Sequence, residues 1–232
     1  MRSMNAVRSL LFVLALLFAA PASLAEDSWD GLQRVPSKKF DEMWLMAGAD
    51  FAAYRQVFLD PIEVAFKKNW ERNANRGSPP SARPRVTAAE ADRIREWMAE
   101  DFEAALRKEL TDAGYVLTGE PGPDVLRLTP VLINVQVNAP DATGRSSRMD
   151  VFTFQAGEAT LALETRDSEL GTLLARVVDR RKTDEYRWLQ WSTEARNRAE
   201  FRDVFERWSR TMVEGLLALR MMPAVQADAP RQ

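Results

Sequence analysis

Two alternating apolar runs meet out of phase at Asp60-Pro61, and this junction constrains the chain more than any other stretch. Before it, Val57 and Leu59 alternate with polar or exposed neighbours. Beyond it, Ile62, Val64 and Phe66 alternate in the opposite phase. Period-two alternation marks a half-buried strand. A phase flip turns later side chains to the other face, so both halves can share one core only if the backbone bulges or kinks between them. Proline favours such a break because it cannot donate to the ladder. Residues 54–70 therefore read as one bent strand, the first of the fold.

Similar flips are read at Pro130, between Leu126/Leu128 and Val131/Ile133/Val135/Val137, and at Gly157, between Phe152/Phe154 and Ala159/Leu161/Leu163. Three broken strands predict a sheet that bends along a common line, with a fourth strand over 172–183. Thr87-Ala-Ala-Glu90 is a capping box. It opens a helix whose stripe is Ile94, Met98, Phe102, Leu106 and Leu110, stopped by Gly114. Ser192 or Thr193 caps a last helix with the stripe Phe201, Val204, Phe205, Trp208, Met212 and Leu216, ended by Pro223. The predicted fold is α+β. It has a single four-stranded mixed, bent sheet with two long helices on one face, in the order β-α-β-β-β-α, plus an extended N-terminal arm. The strand–helix–strand crossover makes its strands parallel, and the remaining strands are hairpin-joined.

Residues 1–25 read as a secretory signal peptide. Arg2 and Arg8 precede an apolar run from Leu10 to Ala20, and small residues at Ser23 and Ala25 supply a cleavage pattern. An extended arm then covers 26–50, one α+β domain 51–222 and a disordered tail 223–232. The chain carries a formal net charge of −2, which becomes −4 without Arg2 and Arg8. It contains no cysteine and no histidine. Disulfides, thiol catalysis, a lipid-modified cysteine and any Ser-His-Asp arrangement are thereby excluded, as is the commonest zinc ligand. No cofactor and no metal site are expected. The acidic balance and the lack of a motif argue against nucleic acid.

Trp29-Asp30-Gly-Leu32, Gly48-Ala-Asp50-Phe51, Tyr54-x-x-Val57-x-Leu59-Asp60-Pro61-x-x-Val64-Ala65-Phe66 and Trp70 together resemble the bacterial family called domain of unknown function 3313. The resemblance extends from Trp29 to about Leu219. It implies a Gram-negative envelope protein, a compartment and a fold, with no activity attached. Lipoprotein members of the family carry a cysteine at the end of the signal. Ala25-Glu26 stands here instead, which implies a free periplasmic protein.

Candidate chemistry is sparse. Asp60 and Glu63 could act as a carboxylate pair on a glycan, or Asp60 could serve the turn at Pro61 while Glu63 faces water. Trp188 and Trp191 could stack on a sugar or close the end of the sheet. If strands one, two and four run parallel, the loops 71–86, 138–150 and 179–191 leave one edge of the sheet with a summed charge of +4. That pole gathers Arg72, Arg76, Arg83, Arg85, Arg145, Arg148 and Arg181 with Trp70, Trp188 and Trp191. Arginine pairs with phosphate or carboxylate, and aromatic side chains suit an interface. The expected function is a non-catalytic periplasmic binding or assembly module that meets an anionic envelope lipid, lipopolysaccharide or an envelope protein. A carboxylate-based glycan-active enzyme is the alternative.

Overall fold

A computed structural model describes residues 28–76, 86–137, 152–153, 156–183, 190–191 and 194–222. The leader-like segment, the C-terminal tail and the predicted loop 138–150 lie outside the described residues. Among the described residues, the expected four-stranded sheet is corrected to a nine-stranded mixed sheet, with a separate two-stranded ladder and three helices. The strands are β1 (Ser28–Trp29), β2 (Leu32–Arg34), β3 (Glu42–Met46), β4 (Gln56–Leu59), β5 (Glu63–Phe66), β6 (Val116–Thr118), β7 (Val125–Val137), β8 (Phe152–Thr153), β9 (Gly157–Asp167), β10 (Leu173–Lys182) and β11 (Gln190–Trp191). The helices are α1 (Trp70–Ala74), α2 (Ala88–Asp112) and α3 (Glu194–Met221).

The main sheet runs β1-β2-β3-β10-β9-β7-β4-β6, with β5 also on β7, while β8 pairs β11 apart from it. The expected N-terminal arm is part of this sheet. β3 pairs antiparallel with β10, and β2 and β1 continue outward. These strands are two to five residues long, too short for alternation to be legible in sequence. They cover an edge of β10 that would otherwise expose unpaired backbone.

Tyr54–Trp70 is two strands. β4 and β5 both run parallel to β7, on the side away from β9, and the five residues from Leu59 to Glu63 face four from Leu128 to Val131. The one-residue excess at Asp60-Pro61 is the phase flip. The Pro130 flip is corrected. Leu126, Leu128 and Leu132 share one buried phase through the proline, and Val135 and Val137 take up the other. The extra residue lies at Asn134 (φ 53°), and both neighbours register it. Between Ile133 and Gln136 β7 gains one residue on β9, and between Leu132 and Val135 it gains one on β5. A left-handed residue in a bulge suits asparagine. Asn134→Val should lose about 1–2 kcal/mol, because a β-branched side chain resists positive φ, whereas Asn134→Gly should hold wild-type stability. Denaturant melts check this, and equal midpoints for the two variants would refute it. The third strand read across Gly157 is corrected to two: Phe152–Thr153 form β8 on β11, and β9 begins at Gly157 with a regular buried phase, while the side chains of Phe152 and Phe154 lie outside the described residues.

Thr87 caps α2, its Oγ1 accepting from the Glu90 amide at 3.2 Å, and Gly114 follows the helix at φ 84°. Both long helices lie against the face carrying Leu132, Leu161 and Asp179. Phe102 of α2 packs on Trp208 of α3 (6.0 Å between ring centroids), and the Trp208 indole donates to Asp179 Oδ2 at 2.7 Å. Across the helices Arg198 makes a two-pronged pair with Asp101, both contacts 2.7 Å.

Candidate functional site

The residues of the sequence motif form cross-strand clamps rather than one centre. The Asp30-Gly31 turn joins β1 to β2 with φ values of 52° and 79°, and Asp30 Oδ2 accepts from Arg176 Nη2 at 3.1 Å. The side chain of the neighbouring Trp29 lies outside the described residues. Asp50 Oδ1 accepts from the Ala52 amide at 2.8 Å, closing the turn before the buried Tyr54. The Tyr54 hydroxyl donates to Asp167 Oδ2 at 2.8 Å, and burial, aided by Asp167, pushes it well above the usual tyrosine range. Pro61 is exposed in the link between β4 and β5.

Asp60 is buried and accepts from Arg127 Nε (2.8 Å), Arg127 Nη2 (2.9 Å) and Thr129 Oγ1 (2.6 Å). Burial alone would raise its pKa. The bonds from Arg127 and Thr129 outweigh burial and hold the carboxyl below its usual range. The group is a fixed anion, suited to bracing β4 against β7 and unsuited to delivering a proton near neutral pH.

Arg127 belongs to a charged belt that sequence reading missed. On the face turned from the helices, Arg127 stands opposite Arg166, Thr129 opposite Glu164, and Glu164 opposite Arg176. Glu164 Oε1 accepts from Arg176 Nη2 at 2.7 Å, and its Oε2 accepts from Arg166 Nη2 at 2.7 Å. The available signal was Glu164 and Arg166, opposite charges at alternate positions of one strand.

Four carboxyls, Asp60, Glu158, Glu164 and Asp167, are held below their usual range although burial opposes this in each. A lowered folded pKa contributes stability that is present above the unfolded value and lost as pH falls through the folded one. The melting temperature should be level between about pH 7 and 5 and fall below about pH 4, the unfolded carboxylate range. Asp60→Asn should flatten that fall, and thermal melts giving the variant an unchanged acid slope would refute its contribution.

The C-terminal ends of β5, β7 and β10 lie at one edge. Phe66 pairs in register with Val135, Val137 with Gly157, and Lys182 with Glu158. Lys67 and Arg180 converge on Glu158 there, at 3.4 and 2.5 Å. A cleft of about 630 Å³ opens beside β5, lined by Val64, Phe66, Lys67, Trp70, Arg72 and Arg95, with Glu71 its one lining acid among the described residues. Its floor is aromatic. Phe66 and Trp70 stack at 4.2 Å, and the Arg95 guanidinium lies 4.9 Å from the Phe66 ring centroid while pairing with Asp92.

The predicted basic pole is thus brought together only in part. Arg72 lies on the cleft, and Arg76 is exposed just past α1. Trp70 is buried, its indole donating to the Val137 carbonyl at 3.0 Å, so it supports the cleft from beneath. Arg181 is in β10 rather than a loop, tied to Asp179 at 2.7 Å and to the Lys39 carbonyl at 3.2 Å. Arg83, Arg85, Arg145, Arg148 and Trp188 lie outside the described residues, as does the side chain of Trp191. Sequence reading missed Lys67, Phe66 and Arg95. Lys67-Lys68 directly after the strand was the available signal.

Among the described residues no group of three or more acidic, histidine or cysteine side chains could hold a metal ion, and no helix is long and apolar enough to cross a membrane. The family model described as "Protein of unknown function (DUF3313)" matches residues 21–212. No curated protein matches the chain. Among solved structures, a PelC dodecamer from Paraburkholderia phytofirmans is similar at 10% identity and TM-score 0.35, over 78% of this chain and 97% of that one. A minor lipoprotein from Acinetobacter baumannii is similar at 15% identity and TM-score 0.34, over 72% and 95%. A Xanthomonas campestris protein is similar at 10% identity and TM-score 0.39, over 81% and 92%.

Proposed function

The chain belongs to the DUF3313 family of proteins of unknown function, and from that premise we propose that it is a periplasmic, non-catalytic binding or assembly module of the cell envelope. It holds an anionic envelope component at the C-terminal end of β5. The observation that carries this reading is the cleft, where Lys67, Arg72 and Arg95 surround an aromatic floor with Glu71 as the only lining acid among the described residues. Lys68 and Arg76, both exposed, add positive charge at positions close to the lining residues in sequence. Lysine and arginine recognise phosphate and carboxylate, and the stacked rings below keep the rim residues in place. The glycan-active alternative draws no support from Asp60, whose carboxylate is committed to Arg127 and Thr129.

The test is retention of the full chain by phosphatidylglycerol vesicles and by immobilised polyglutamate. Wild type should be retained by at least one of them. Added salt should weaken that retention, and so should Lys67→Ser/Arg72→Ser/Arg76→Ser, because exposed charges are screened within about 10 Å at 0.1 M salt. No retention of wild type, or retention indifferent to salt and to the substitutions, would overturn the reading. Mass spectrometry of envelope material should also find an N-terminus at or near Glu26. An intact Met1 would refute the periplasmic assignment.

A further inference from the structure

β5 has one strand neighbour among the described residues, β7, and its other edge is open. Lys67 N donates to the Val135 carbonyl at 2.9 Å. Main-chain groups alternate sides along a strand, so the amides and carbonyls of Glu63 and Ala65 also face β7. Those of Val64 and Phe66 face away from it. Two hollows lie along this open edge and share Val64 and Arg95. One is the basic cleft at the end of β5. The other, about 510 Å³, is bounded by Ile62 and Val64 on the strand side and by Asp92, Glu96 and Ala99 of α2. Together they make a groove between a strand edge and a helix, with acids at the start of β5 and cations at its end.

We propose that this groove takes an extended polypeptide segment as an added strand on β5, with an acidic residue of the segment at Lys67 and Arg72. Unpaired edge groups are a template for another strand, and an added strand draws affinity from main-chain bonds and selectivity from its alternate side chains. Val64 and Phe66 supply two residues' worth of outward donors and acceptors. The gradient of charge along the groove sets the direction, because an acid is favoured at the Lys67/Arg72 end and repelled at the Asp92/Glu96 end. A lipid headgroup would use the cations and leave the strand edge and the acidic hollow without a role. The inference rests on the proposed anionic reading of the same cleft and specifies its ligand as a protein segment.

The experiment selects phage-displayed random decapeptides on the full chain and measures the synthesised winners by fluorescence anisotropy, beside phosphatidylglycerol vesicles. Winners should alternate apolar residues and carry an acid at one end. Their binding should slow amide exchange at Val64 and Phe66 by about tenfold, the mark of newly bonded main chain. Val64→Pro removes an outward amide and no bond to β7, a change edge strands tolerate, and it should weaken the winners about tenfold or more. Arg72→Glu, at an exposed position that cannot unfold the core, should weaken them comparably. Winners indifferent to both substitutions, or without protection at Val64 and Phe66, would overturn the proposal. Vesicle binding with no peptide winner would overturn it too while leaving the anionic reading standing. Failure of vesicles, polyglutamate and peptides alike would remove both.

Discussion

Gly157→Ala is expected to lower the melting temperature by roughly 6–12 °C, the shift that a loss of about 3 kcal/mol gives in a domain of this size. The cause is a close approach. A Cβ on Gly157 would lie 2.1 Å from the Gln136 carbonyl oxygen and 2.8 Å from Phe201 Cζ. The first neighbour is backbone, on the strand that already carries the Asn134 bulge, and it cannot swing aside as a side chain can. The second is a buried ring of α3, wholly inside the core. Gly157 is also bonded on both sides to Thr183. Its amide donates to Thr183 Oγ1 at 3.0 Å, and its carbonyl accepts from the Thr183 amide at 3.0 Å. Moving it to make room would pull β9 from the end of β10. Shortening Phe201 to leucine in the same chain should recover only part of the loss, since the carbonyl clash remains. Calorimetry giving Gly157→Ala a melting temperature within about 2 °C of wild type would mean the strands separate at almost no cost, contrary to the packing.

The second large effect is expected at Asp179, where Asp179→Ala should cost about 3 kcal/mol by stranding the buried Trp208 indole donor. Asp179 is buried in β10, its Oδ2 accepting from the Trp208 indole and from Arg181 Nε, each at 2.7 Å, and its Oδ1 accepting from the Asp41 amide at 3.2 Å. One carboxylate thus joins a strand, the last helix and the segment leading into β3. Alanine would leave the indole N–H of Trp208 without an acceptor in a wholly buried setting. Asp179→Asn keeps an oxygen for that indole and should cost less. If alanine and asparagine prove equally damaging in denaturant melts, the indole bond is not what holds the three elements. If neither damages the fold, the hub is decorative.

Local chemistry carried much of the chain by itself. Alternation of period two, a capping threonine and apolar stripes of period 3.6 located the central strands, α2 and α3. Each depends on neighbours only a few residues apart, so each is visible in one dimension. The slip at Asp60-Pro61 was legible for the same reason, because proline advertises its missing donor. The slip in β7 was not. A Leu/Val/Ile-rich strand offers apolar side chains in both phases, and which phase is buried depends on what lies above it. Pro130 attracted the break that Asn134 makes. The partners of the short strands β1, β2, β3 and β6 were invisible, because their pairing comes from edges that exist only once the sheet is assembled.

The candidate site divides along the same line. Arg72 and Trp70 were legible as a cation and an aromatic beside the end of a strand. That Trp70 would turn inward to bond Val137, while Phe66 and Arg95 close the cleft above it, follows from β7 and α2 meeting across long sequence separations. Asp179 shows the division most plainly. In sequence it is one charge in a run of charges, Asp179-Arg-Arg-Lys182, where the fourth strand runs on into a basic loop. In the fold that run is the end of β10, and alternation turns Asp179 under α3 while Arg180 faces out. Residue type and spacing determined which elements form; which charges are buried, paired or left at a cleft was decided by how those elements dock, because burial and pairing are properties of neighbours in space.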